Sequence, residues 1–193
     1  NSLGNFGDQV KTLFNKKYIC LCNSGNSALV LSLKALGLIN KRVLIPAAGT
    51  CFAIENAVLS TNNIPVYCDI NIEDGNINPN IARSIFLQEK YAAIISPNYF
   101  GNISDIDELK KIGIPIIEDC SQSFFSNINY NTNSDIQVLS FYPTKVINAI
   151  DGGAIITNDK VLIARVNDLI YYRHQNKIDN IPRLNLKMNN INA

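Results

Sequence analysis

Tyr18-Ile19-Cys20-Leu21-Cys22-Asn23-Ser24-Gly25-Asn26-Ser27-Ala28-Leu29 is the stretch on which the fold is read. An apolar run of strand length meets a short polar turn. It then enters a segment, 27–38, whose apolar residues recur at three-and-four spacing, with Gly37 near its end; this predicts a helix. The same alternation continues down the chain. Further strand-like runs fall at 42–45, 65–68, 92–96, 115–118, 136–140 and 153–157. Helical patterns lie at 51–60, 79–87, 105–112 and 160–172. Continuous apolar strands separated by amphipathic helices predict right-handed crossovers and strands covered on both faces. The expected fold is α/β, a three-layer sandwich around a mostly parallel, mainly seven-stranded sheet. Only loop separates 136–140 from 153–157, so that connection is expected to break the pattern. The polar segment 127–134 reads as an exposed hairpin or loop.

The chain has 193 residues, 47% hydrophobic and 17% charged, which suits one compact domain. Its 17 basic and 16 acidic residues leave a net charge of +1. That balance gives no electrostatic case for nucleic acid or a membrane surface. No apolar run reaches membrane-spanning length and no signal peptide is read at the start, so a cytoplasmic protein is expected. The cysteines (Cys20, Cys22, Cys51, Cys68 and Cys120) read as reduced thiols, mostly in apolar surroundings. Cys20 and Cys22 are read as pointing to opposite faces of a strand, which disfavours a shared metal; no metal site is expected.

Two segments carry chemistry. The run Ile114-Pro115-Ile116-Ile117 ends in Glu118-Asp119-Cys120-Ser121-Gln122, and Lys145 closes Ser140-Phe141-Tyr142-Pro143-Thr144-Lys145. A lysine amine forms a Schiff base with an aldehyde, and an aspartate pairs with a pyridinium nitrogen. Together they suit pyridoxal phosphate, provided that the segments meet. Gly25, Asn26 and Ser27 lie between a strand and a helix. Backbone amides at a helix N-terminus seat phosphate, although Asn or Ser there also serves as a plain cap.

In order and spacing the chain resembles the DegT-type nucleotide-sugar aminotransferases, a branch of the fold-type I pyridoxal phosphate enzymes. The resemblance runs through Asn23 to Leu29, Ile45-Pro46, Thr50 to Asn56, Ile64 to Ile70, Asn98-Tyr99-Phe100-Gly101, Ile117 to Gln122, Ser140 to Lys145, Asp151-Gly152-Gly153 and Asn185 to Asn189. It implies an aspartate aminotransferase-like large domain over 1–193, short of its first helices and without the C-terminal small domain. It implies amino transfer, with glutamate as donor, to a nucleotide-linked keto-sugar in polysaccharide biosynthesis, by a homodimer with shared active sites. Another enzyme of the same fold type (aldolase, lyase or desulfurase) or a non-catalytic remnant is the alternative.

The resemblance also implies residue roles. Lys145 would carry the cofactor and move protons, and Asp119 would hold the ring nitrogen, with Glu118 a structural acid. The amides of Asn26 and Ser27, with the Ser140 hydroxyl, would bind phosphate. Gln122 would reach the ring hydroxyl or the substrate, and Ser121 could lie against a ring face. On the other face the family places an aromatic after a threonine. Here Thr50 is followed by Cys51 and then Phe52, so Phe52 is expected either to stack or to be core. Asn185 would reach the phosphate of the other subunit. The lone histidine, His174, reads as a helix-end residue.

Overall fold

The computed structural model describes residues 2–124, 131–171 and 182–190. Seven strands form one sheet: β1 (Tyr18–Cys22), β2 (Arg42–Pro46), β3 (Ile64–Cys68), β4 (Ala93–Pro97), β5 (Ile116–Asp119), β6 (Ile136–Ser140) and β7 (Gly153–Thr157). Their order is β1-β7-β6-β5-β4-β2-β3. β7 runs antiparallel to both of its neighbours, and the remaining pairs are parallel. The helix-free connection before β7 therefore marks the one reversal in the sheet.

Among the described residues six α-helices cover it: α1 (Ser2–Leu13), α2 (Gly25–Ala35), α3 (Phe52–Ser60), α4 (Pro79–Gln88), α5 (Ile106–Lys110) and α6 (Lys160–Ile170). α2, α3 and α6 pack their apolar residues onto one face, against Cys20, Val43, Ile95, Ile117, Val138 and Ile155. α1 covers Leu139, Ala154 and Ile156 on the opposite face, and α4 and α5 cover Leu44, Ile94 and Ile116 there. These assignments follow the two-residue period of a strand. The same period corrects the reading of Cys20 and Cys22: residues two apart share a face, and both are buried on the α2 side.

Two helical boundaries shift for local reasons. α2 starts earlier than its apolar spacing implies because Ser24 caps it, its Oγ accepting from the Ser27 N–H at 3.1 Å. It stops at Ala35, and Gly37 follows with φ +73°. α1 has no counterpart in the sequence reading. Gly4 and Gly7 weaken its helical pattern, each costing about 1 kcal/mol against alanine. Gly7, however, lets the helix lie close on β1: a Cβ there would sit 3.6 Å from both Ile19 and Leu21.

Polar side chains are also buried beneath the sheet. Glu118 is fully buried on the α5 side of β5 and accepts from Asn98 Nδ2 (2.8 Å), Ser134 Oγ (2.7 Å), Gln137 Nε2 (3.0 Å) and the Thr132 hydroxyl. Nearby, the Lys16 ammonium donates to the Thr132 carbonyl at 2.7 Å. Burial lowers the Lys16 pKa, and the Glu118 charge opposes that shift. The segment read as an exposed loop is thus partly internal: Thr132 and Ser134 turn inward to Glu118. Residues 127–130 of that segment, and His174, lie outside the described residues.

Candidate active site

Parallel α/β sheets bind ligands at the carboxyl ends of their strands. At that end lies a cavity of about 470 Å³, lined among others by Gly25, Asn26, Tyr99, Asp119, Gln122, Ser140 and Lys145. A larger cavity, about 870 Å³, shares no lining residue with it and lies against α1 and β1.

Asp119 is the last residue of β5. Because Glu118 faces α5, its neighbour Asp119 faces α2 and the cavity. Burial pushes the Asp119 carboxyl above the usual carboxylate range, while hydrogen bonding from Ser121 and the Lys145 charge pull it back. The Ser121 N–H donates to Asp119 Oδ1 at 3.0 Å. Asn98 connects this strand end to the buried acid: its backbone N–H donates to the Asp119 carbonyl at 2.9 Å and its side chain to Glu118. Lys145 sits in the turn after β6, where its backbone N–H donates to the Tyr142 carbonyl at 2.8 Å. The two segments singled out from sequence therefore line the same cavity.

The α2 N-terminus forms another part of the wall. The Ser27 N–H is already engaged by the Ser24 cap, and Ser27 does not line the cavity. Gly25 and Asn26 do line it, and their amides belong to the first helical turn, which lacks intrahelical acceptors. The Asn26 side chain donates to the Ala53 carbonyl at 2.9 Å, tying the starts of α2 and α3 together. Ser140 is packed so closely that a Cβ on Gly25 would come within 2.7 Å of its own Cβ.

β7 packs against the back of this wall through Gly153. A Cβ there would lie 2.4 Å from the Ser24 carbonyl oxygen and 2.8 Å from the Gly25 nitrogen, both backbone atoms. Gly153→Ala should therefore destabilise the protein by about 2–3 kcal/mol, the scale of overpacking a tight site. Urea denaturation would show this as a lower midpoint with an unchanged slope.

Phe52 lies outside the cavity lining and is 80% exposed. α3 begins at Phe52, so Cys51 is its N-cap, and Cys51 and Ala53 line the cavity instead. Neither of the two roles weighed for Phe52 matches this position. Tyr99, which the sequence reading quoted without giving it a role, is an aromatic of the wall and is 2% exposed. Burial raises its phenol pKa. The nearby Thr50 side chain opposes that shift, and among the described residues the buried Tyr99 hydroxyl has no other hydrogen-bond partner. Asp151, in the turn before β7, adds a second carboxylate to the lining. Asn185 lines the larger cavity, away from Lys145.

The donor set suits a phosphorylated pyridine aldehyde. It offers one amine for a carbonyl, one desolvated carboxylate for a ring nitrogen, and open amides with a hydroxyl for a phosphate.

Comparison with known proteins gives the same family as the sequence motifs. A UDP-4-amino-4,6-dideoxy-N-acetyl-beta-L-altrosamine transaminase of Campylobacter jejuni is 33% identical over 159 residues, covering 78% of this chain and 42% of that protein. A 3-oxo-glucose-6-phosphate:glutamate aminotransferase of Bacillus subtilis is 29% identical, covering 99% of this chain and 45% of that one. The crystal structure of NtdA from Bacillus subtilis, with bound cofactor PMP, superimposes with a TM-score of 0.89 at 28% identity, over 100% of this chain and 46% of that chain. The chain thus spans just under half the length of these relatives. With the family profile matching residues 1–193, the chain belongs to the DegT/DnrJ/EryC1/StrS aminotransferase family.

Proposed function

We propose that this chain is the cofactor-binding part of a pyridoxal phosphate-dependent aminotransferase that aminates a nucleotide-linked keto-sugar, with glutamate as the donor. The observation that carries the reading is the convergence of Lys145, Asp119 and the open amides of α2 on one cavity. The names of the relatives, one a UDP-sugar transaminase and one a glutamate-dependent aminotransferase of a sugar phosphate, support the substrate class. Among the described residues no helix is long and apolar enough to cross a membrane. We place the protein in the cytoplasm and, from the resemblance, in a homodimer where Asn185 serves the partner's cavity.

When bound, the cofactor supplies an electrophilic carbon and an electron-withdrawing ring. The protein residues do the rest. Lys145 Nζ would hold the cofactor through its carbonyl carbon and, when free, would be placed to accept and return the substrate proton. Asp119 would face the ring nitrogen and, as a carboxylate, would favour its protonated form. The Gly25 and Asn26 amides and the Ser140 hydroxyl would hold the phosphate, with the helix dipole favouring its charge. Gln122 faces the same space and is available to substrate.

The test is spectroscopic. Glutamate added alone to the cofactor-loaded protein should bleach its long-wavelength absorbance, and a nucleotide-linked keto-sugar added next should restore it. Absorbance that persists under glutamate would favour a lyase, aldolase or desulfurase.

A further inference from the structure

We propose that Phe100 is a ligand-binding residue, a platform on which the nucleobase of the nucleotide-linked sugar stacks at the mouth of the cavity. The inference rests on the substrate reading above and adds the place where the nucleoside end lies. The Phe100 side chain is 84% exposed, although it follows Tyr99, which is buried in the cavity wall. Its ring lies 6.0 Å from the Tyr99 ring, centroid to centroid. Its N–H donates to Gln122 Oε1 at 3.5 Å. That bond ties it to a second residue of the wall and leaves the Gln122 amide N–H groups for the cavity. Phe100 therefore stands on the rim, beside the cavity rather than in it.

The backbone carries a separate observation. Phe100 has φ +52°, in the left-handed region that bulky residues seldom adopt. Among the described residues five non-glycine positions have positive φ, and three of them are asparagines, which tolerate it. The other two, Phe100 and Ile150, each adjoin a cavity-lining residue, Tyr99 and Asp151. Glycine would sit at position 100 without strain, so the aromatic ring is held there at a cost to stability, as happens at ligand clamps. Bonds on either side hold the turn. The Tyr99 N–H donates to Asn76 Oδ1 at 3.0 Å, the Asn102 N–H to the Tyr99 carbonyl at 2.7 Å, and Asn102 Nδ2 to the Asp74 carbonyl at 3.1 Å. The ring is thus presented from a fixed base.

Space decides which part of the ligand reaches it. The cavity holds about 470 Å³, toward the lower end of the roughly 300–1,000 Å³ that one small ligand fills. With α2, Asp119 and Lys145 assigned to the cofactor, little of that room remains for substrate. The sugar carbon to be aminated must approach Lys145, so the diphosphate and nucleoside extend outward past the rim. A nucleobase offers a flat face of low polarity, and an exposed aromatic ring at the rim covers it while losing its own contact with water. Phe52 is similarly exposed, at 80%, but it opens α3 on ordinary helical backbone and serves as the control.

The experiment compares wild type with Phe100→Gly, Phe100→Tyr and Phe52→Ala, all loaded with pyridoxal phosphate. Each is titrated with UDP, dTDP and GDP, and with inorganic pyrophosphate as a probe without a base. Solution mass and melting temperature are measured alongside. For the nucleotide that wild type binds most tightly, Phe100→Gly should raise the dissociation constant about 10- to 100-fold, the range for one base on an aromatic ring. Phe100→Tyr, which keeps the ring, and Phe52→Ala should stay within about threefold of wild type. Pyrophosphate should bind all four proteins within about twofold, because it brings no base to stack. Phe100→Gly should keep the wild-type mass and melt at the same temperature or higher, since glycine relieves the left-handed backbone. A rise of less than about threefold in Phe100→Gly, equal loss for pyrophosphate, or equal loss in Phe52→Ala overturns the proposal. A lower mass, which would assign the ring to a subunit contact, or a lower melting temperature overturns it as well. A wild type that binds pyridoxal phosphate but none of the nucleotides overturns this proposal and leaves the cofactor reading standing. One that binds no pyridoxal phosphate overturns both.

Discussion

Lys145→Ala should bind pyridoxal phosphate yet show none of the long-wavelength absorbance of a lysine-linked cofactor, and amino transfer should fall by roughly 10³- to 10⁴-fold. Two functions are lost together. The covalent hold at Nζ disappears, and so does the base that moves the substrate proton. Binding persists because the phosphate seat at Gly25, Asn26 and Ser140 and the carboxylate of Asp119 are untouched. Affinity should drop more modestly than rate, and added small amines should restore part of the rate by standing in as the base. The turn that carries Lys145 is fixed by its backbone bond to Tyr142, so removal of the side chain should leave the fold intact.

Asp119→Asn should act in opposite directions on the empty protein and on catalysis. Burial raises the Asp119 carboxyl above its ordinary value, despite help from Ser121 and Lys145. A carboxyl with a folded pKa above its unfolded one binds more protons when folded. Stability of the ligand-free protein therefore falls as pH rises from about 4, the unfolded value, through the raised folded value, and is level beyond it. Asparagine removes that penalty, so the ligand-free variant should melt higher than wild type at neutral pH, and the difference should shrink toward acid. Catalysis moves the other way. Asparagine cannot keep a ring nitrogen protonated, and the rate should fall by about 10²- to 10³-fold. Melting curves across the acid-to-neutral range, set beside single-turnover rates, separate the two effects. A variant that is less stable without ligand at neutral pH would contradict the placement of Asp119 as a desolvated acid.

Much of this architecture is legible in the chain because its strands are short and almost wholly apolar. Each of the seven runs read from sequence becomes a strand, and the missing helix before Gly153 signals the antiparallel β7. Asp119 and Lys145 stand out because an acid at a strand end and a lysine in a turn are chemically conspicuous. What stays hidden depends on geometry across distant positions. The acceptor role of Glu118 joins Asn98, Thr132, Ser134 and Gln137, which no local pattern links. Phe52 is aromatic and close to Thr50, so composition favours it. The helix begins one residue too early for that: its N-cap, Cys51, faces the cavity and Phe52 turns outward. No local signal marks this start, because Cys51 makes no side-chain capping bond. Tyr99 sits in a quoted motif, but its place in the cavity wall is visible only once the distant wall segments are assembled.

The central claim is that one amine, Lys145 Nζ, holds the cofactor in a cavity it shares with Asp119. Borohydride reduction of the protein mixed with stoichiometric pyridoxal phosphate, followed by proteolysis and mass mapping, tests it most directly. The account predicts a single phosphopyridoxyl mass increment on the peptide containing Lys145, absent from Lys145→Ala. A label spread over surface lysines, or one that persists in Lys145→Ala at the same yield, would contradict it.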